Sequence, residues 1–209
     1  VPSPVASYTY VHPQSVPTQS ASPAGWPSDW GTHVIGAGPA TFVAPAKYDL
    51  DLLSFTPGEL VAALQALPAV SIVLDPDDLM GPQSGIYVNP DQNLVCDASV
   101  EFVSNDGSEP GFQKEVLLEL HGAGSRLPEL QGQHSLRMNP KGIIDYPVLG
   151  EHGPAATRGD LILRGGMNDN RNSNSPNTIN AVFVRDEFAR RSHESMGQLA
   201  TTGRWVHLY

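Results

Sequence analysis

Cysteine is almost absent from this chain: Cys96 is the one thiol in 209 residues. A single cysteine excludes an intrachain disulfide, and no Cys/His group has structural-zinc spacing. Cys96 reads as a small buried hydrophobe rather than a reactive thiol. Basic residues are also scarce. Twelve Lys and Arg stand against 22 Asp and Glu, a formal charge of −10. Phosphate surfaces are read by clustered Lys and Arg, so this balance argues against nucleic acid and anionic membrane as partners. No apolar run approaches the roughly 18 to 20 residues that span a bilayer, so no transmembrane segment is expected. A charged segment followed by an apolar one, the mark of a secretion signal, is missing from the first residues. Charged residues make up only 16% of the chain beside 40% hydrophobic residues, which fits one soluble globular core with an attached arm.

What the chain has in excess is proline and small polar residues over positions 1–47, as in Val1-Pro2-Ser3-Pro4 and Ser20-Ala21-Ser22-Pro23. That composition favours an extended, polyproline-like arm that does not fold alone. The same stretch carries Tyr8, Tyr10, Trp26, Trp30 and Phe42. Rings of that size gain free energy when buried, so the arm is expected to lie on a surface, its own domain's or a neighbour's, with Trp26 and Trp30 as the interaction residues.

Residues 48–209 read as the folded domain. Thr56-Pro57-Gly58-Glu59 is a capping box with proline at the first helical position, and Leu60, Leu64 and Leu67 continue a helix up to Pro68. Val70–Leu74 is a short, largely β-branched run typical of a buried strand, and Asp75-Pro76-Asp77-Asp78 reads first as a turn that stops it and second as a cation site. Strands are expected at 99–104 and 112–121, joined through Asn105-Asp106-Gly107, with shorter ones at 134–138, 143–148 and 160–164. A second helix is expected from about Ile179 to Met196, acidic at Asp186 and Glu187 and basic at Arg190 and Arg191, the order that complements a helix dipole. Arg204–Tyr209 has strand composition and reads as an element cut short, leaving a strand edge open to a partner. The fold class is therefore α+β, a mostly antiparallel sheet with two main helices, preceded by the Pro-rich arm.

An ordered series of short motifs runs through this pattern: Ala24-Gly25-Trp26-Pro27-Ser28-Asp29-Trp30-Gly31, Gly85-Ile86-Tyr87-Val88-Asn89-Pro90, Leu120-His121-Gly122-Ala123-Gly124-Ser125-Arg126, His134-Ser135-Leu136-Arg137, Leu163-Arg164-Gly165-Gly166-Met167-Asn168-Asp169 and Val184-Arg185-Asp186-Glu187-Phe188-Ala189-Arg190. In order and spacing, over about residues 24–209, the series resembles the N-terminal portion of CotH-type (spore-coat protein-kinase-like) domains of large secreted or envelope-associated bacterial proteins. The resemblance implies a partial atypical-kinase N-terminal lobe and an extracytoplasmic address. It also implies that the family's metal-binding and catalytic aspartates lie beyond the last motif matched here. Gln133 stands where the family often has a lysine able to meet nucleotide phosphate.

Phosphoryl transfer needs a phosphate cradle, carboxylate-held divalent ions and a group that positions the acceptor. Gly122, Gly124, Ser125 and Arg126, with Arg137, are the residues that could meet phosphate, although a plain Gly-rich turn accounts for the same sequence. Asn168 and Asp169 could hold a cation or cap the following helix. Arg164, Asp169, Arg185, Asp186 and Glu187 are expected in structural ion pairs. The seven histidines show no metalloenzyme spacing, and no Gly-x-Ser-x-Gly elbow is present. The functional expectation is a non-catalytic CotH-like structural or interaction subunit without cofactor, whose partners are other protein subunits met by the arm and the terminal strand edge. The alternative is a fragment of an active atypical protein kinase that uses ATP with Mg or Mn.

Overall fold

The computed structural model describes residues 7–19, 32–35, 42–45, 55–126, 134–166, 169 and 181–209. Its elements in chain order are β1 (Thr32–Ile35), β2 (Phe42–Pro45), α1 (Pro57–Ala66), β3 (Ala69–Val73), α2 (Pro76–Met80), β4 (Val95–Val103), β5 (Phe112–His121), β6 (Ser135–Pro140), β7 (Leu161–Leu163), α3 (Arg185–Ser195) and β8 (His207–Leu208). Six strands form one sheet in the order β7-β6-β5-β4-β3-β8. All pairs are antiparallel except β3 with β8, where Ala69 lies opposite His207. The fold is α+β with a mostly antiparallel sheet.

Strict alternation along β4 and β5 decides which face is buried. Cys96, Ala98, Val100 and Phe102 point to one side and meet Leu118, Val116, Lys114 and Phe112 across the strand pair. β6 adds Leu136 and Met138 opposite Leu120 and Leu118. Ile86, Tyr87, Ile144 and Tyr146 come from the connecting segments and complete this main core. A one-residue slip in register would turn the whole apolar set outward, so the alternation fixes the pairing.

α1 starts as its sequence requires. Thr56 Oγ1 accepts the Glu59 N–H at 3.4 Å and the Glu59 carboxylate accepts the Thr56 N–H at 3.0 Å. On the face opposite the core, the N-terminal segment crosses β3 and β4. Ser7 Oγ lies 2.6 Å from Ser99 Oγ, the Thr9 N–H donates to Glu101 at 2.6 Å, and Thr9 Oγ1 donates to Ser71 Oγ at 2.8 Å. The arm is thus laid over its own sheet at these residues.

Several expectations need correction. Tyr8 and Tyr10 point away from the sheet and are 73% and 81% exposed, because the segment docks through Ser7 and Thr9, which alternate with them. The arm is not extended throughout. Pro13–Thr18 forms a 3-10 turn that packs against α1, and the β-branched and aromatic runs of β1 and β2 pair antiparallel. Trp26, Trp30, Gln133 and Asn168 lie outside the described residues. The Asp75 turn is the start of α2, with Asp75 Oδ1 capping Asp77 N–H at 2.9 Å and Pro76 at the first helical position. Residues 143–148 form no strand but only an isolated bridge, Ile144 with Thr157. Their apolar alternation comes from Ile144 and Tyr146 covering the core, and Pro147 removes a donor a ladder would need. The second helix begins at Arg185 rather than near 179, since Phe183 takes a left-handed φ of 59°.

Candidate functional site

The sheet face opposite the core is polar, and at its β5-β6-β7 end it opens into a cleft of about 740 Å³. His121 closes β5, Ser135 opens β6 opposite it, and Ile162 of β7 supplies an apolar patch. Gly122 and Ser125 enter from the turn after β5, while Arg164 and Gly166 enter from the chain leaving β7. Asp169, Arg185 and Asp186 form the remaining wall with the first turn of α3.

Four charges in this wall are paired with one another. Arg164 meets the carboxylate of Asp186, and Arg185 Nη1 donates to Asp169 Oδ1 at 2.8 Å. Asp169 also accepts the N–H groups of Val182 at 2.9 Å and Arg185 at 3.1 Å. These bonds, the one from Val182 foremost, hold its carboxyl below the ordinary range, and its side chain is only 14% exposed. Asp169 therefore does for α3 what a capping side chain normally does, since the residue at the cap position, Val184, offers no side-chain acceptor. The same bonds hold the chain before Arg185 out of the helix.

The turn after β5 is held tightly. Gly122 has φ of 113°, and a Cβ there would lie 2.1 Å from Ser125 Oγ. Beneath it His134 is 3% exposed, with Nδ1 3.0 Å from the Ser125 carbonyl and its ring 4.5 Å from that of Tyr87. Burial holds the His134 pKa below its ordinary value, with the Ser125 carbonyl acting in the opposite direction. Replacing Gly122 by alanine is expected to displace Ser125 and to lower stability by roughly 1–3 kcal/mol, the usual cost of a strained backbone position. Urea unfolding of the variant checks this, and an unchanged midpoint would show that the turn adapts freely.

His121 is held below its ordinary pKa chiefly by partial burial, then by Arg137, Arg164 and Arg126, with Glu119 opposing. At neutral pH its ring offers hydrogen bonds without charge. Of the residues picked out in the sequence for phosphate, Gly122 and Ser125 line the cleft, whereas Gly124, Arg126 and Arg137 do not. Gly124 starts a 3-10 turn. Arg126 is spent on the Pro90 carbonyl at 3.1 Å, which ties this turn to the segment before β4. Arg137 bonds Glu119 at 2.9 Å across β5 and β6, with Asp160 3.7 Å away. Glu187 pairs along its own helix with Arg191 at 2.7 Å and Arg190 at 3.5 Å. Sequence reasoning missed His121, Ser135 and Ile162 as cleft residues. Their signal was their phase: each stands where a buried strand residue would not, on the polar side of its strand.

Among the described residues, no group of three or more His, Cys, Asp or Glu side chains gathers in a way that could hold a metal ion. No described helix is long and apolar enough to cross a membrane. No family model, curated protein or solved structure matches the chain.

Proposed function

We propose that this chain is a CotH-like protein-interaction module, a structural or interaction subunit of an exported or envelope-associated assembly that carries out no chemistry of its own. The observation that carries the reading is the apolar rim beside the cleft. Val182, Phe183 and Val184 are about half exposed just before α3, and Phe188 on its first turns is 75% exposed. α3 buries none of its residues. A run of exposed apolar side chains beside a polar cleft is the pattern of a surface covered by another protein, with an aromatic residue such as Phe188 as its anchor. The pairing of Arg185 with Asp169 supports the same reading, since charges neutralised by one another hold a surface rather than act on a substrate.

A kinase-like reading, with ATP and Mg or Mn, draws on one observation: Gly122 and Ser125 share the cleft with Arg164 and Asp169. Two experiments separate the readings. Proteins recovered from extracts of the source cells on the immobilised full chain should include a set retained by Phe188→Leu and lost about tenfold with Phe188→Asp, the scale of an aromatic hot spot. Calorimetric titration with ATP should give no heat with or without Mg²⁺. Divalent-dependent ATP binding together with phosphorylation of a protein would overturn the interaction reading.

A further inference from the structure

The cleft is built from donors. Arg164 brings a guanidinium, Ser125 and Ser135 bring hydroxyls, and His121 brings a ring N–H. Ser135 Oγ already accepts the Gly165 N–H at 3.0 Å, so its own hydrogen is left to donate. The acceptors are the two aspartates, and Asp169 is saturated by two backbone N–H groups and Arg185. Among the described residues, that leaves Asp186 on Arg164 as the labile anion in the wall. Both partners of this pair are more than half exposed, and an ion pair so placed contributes little and opens readily.

We infer that the cleft receives a carboxylate side chain of a partner protein, which takes the place of Asp186 on Arg164, and that Asp186 is the site's built-in competitor. This rests on the interaction reading above. The charge balance selects carboxylate over phosphate. Asp186 stays tethered to α3, so a bound carboxylate leaves the wall with one net negative charge, whereas a phosphate dianion would leave two beside Asp169 and Asp186. His121, neutral at physiological pH, would not offset it. The chain's formal charge of −10 repels a generally acidic partner. The fitting segment therefore has a single carboxylate between apolar residues, which Ile162 and the rim formed by Val182, Phe183 and Val184 would cover. A Glu or Asp meets the planar fork of Arg164 with two parallel hydrogen bonds, a geometry lysine cannot copy.

Competition by an internal group lowers apparent affinity by the fraction of sites it occupies. The test is an NMR titration of the full-length chain with N-acetyl-Val-Glu-Leu-amide, its Val-Gln-Leu counterpart and inorganic phosphate, repeated on Asp186→Asn, Arg164→Gln and Arg164→Lys. The Glu peptide should bind Asp186→Asn about threefold more tightly than the unsubstituted chain, the scale of an exposed competitor that opens readily. The Gln peptide should bind neither, and both Arg164 variants should lose the response. Preserved dispersion of the spectrum shows that each variant is folded, and Arg164→Lys keeps the charge if Arg164→Gln does not fold. Equal binding of the Glu peptide to the unsubstituted chain and Asp186→Asn would overturn the competitor role. Phosphate binding to Asp186→Asn without Glu-peptide binding would overturn the ligand class, and no binding by any probe would overturn the site. If the peptide fails while Phe188-dependent capture persists, the cleft ligand falls and the interaction role stands. If the peptide binds Asp186→Asn as expected while capture is indifferent to Phe188, the carboxylate site stands and the interaction role falls.

Discussion

Phe102→Ala should cost about 3–5 kcal/mol and bring the chain close to unfolding, the range for truncating a fully buried aromatic residue. Phe102 is 2% exposed and sits in the ladder opposite Phe112, with ring centroids 5.9 Å apart, and against Tyr146 at 5.3 Å. The guanidinium of Arg204 lies 4.9 Å from its ring centroid. Alanine would remove the packing of both rings and the apolar surface under Arg204 together. It would therefore loosen the central β4-β5 pair, the covering segment around Tyr146 and the approach to β8. Urea denaturation followed by fluorescence and by far-UV circular dichroism checks the size, and a loss under about 1 kcal/mol would mean that the site collapses around the smaller side chain.

Glu109→Gln should have the next largest effect, a loss of roughly 2–3 kcal/mol near neutral pH, on the scale of hydrogen bonds to charged groups. The Glu109 carboxylate receives both terminal nitrogens of Arg204, one of them at 3.0 Å, and the hydroxyl of Tyr146. It thereby ties the β4-β5 connection to the chain entering β8 and to the segment over the core. Glutamine keeps the shape but removes the charge that holds the guanidinium. The pH dependence supplies a sharper check. Arg204 first, and Tyr146 second, hold the Glu109 carboxyl below its ordinary 4.5. A carboxyl depressed in the folded state contributes stability that is complete above the unfolded-state pKa and is lost as pH falls below it toward the folded value. Stability should therefore decline below about pH 4.5 in the unsubstituted chain and decline less in Glu109→Gln. Tyr146 stays a donor throughout, because burial, followed by Glu109, raises its pKa to about 12. Parallel acid limbs in the two proteins would show that the Glu109 carboxylate is not coupled to folding.

The residues that were easy to read are those whose partners are close in sequence. The capping box at Thr56 and Glu59 closes over three residues, and β5 matches its expected bounds, Phe112–His121, because alternation over ten residues needs no distant information. Ile144 and Tyr146 misled for the same reason in reverse. Their alternation is real, but it records burial by a covering segment, and only the fold distinguishes that from pairing. The start of α3 could not be read locally either. Val182 and Phe183 fit a helical period, yet Asp169, 13 residues before Val182, takes the N–H groups there and holds the chain out of the helix.

The cleft divides in the same way. Gly122, Ser125, Arg164, Asp169, Arg185 and Asp186 stood out by residue type, and their sequence alone placed them in turns, at a strand end or within the expected second helix. Which arginine meets which aspartate was decided only by strand order. Setting β7 beside β6 and β5 brings Arg164 and the turn after β5 to one end of the sheet, where the first turn of α3 closes the wall. Arg126 and Arg137 are of the same type and were equally eligible, but the turn after β5 carries one to Pro90 and the β5-β6 register sets the other against Glu119. By itself, then, the sequence determined the class of fold, the buried phase of β5 and the scarcity of basic residues, because these depend on composition and short periodicities. The tertiary structure decided which charges meet and which apolar residues remain uncovered, because both depend on contacts between segments far apart in the chain.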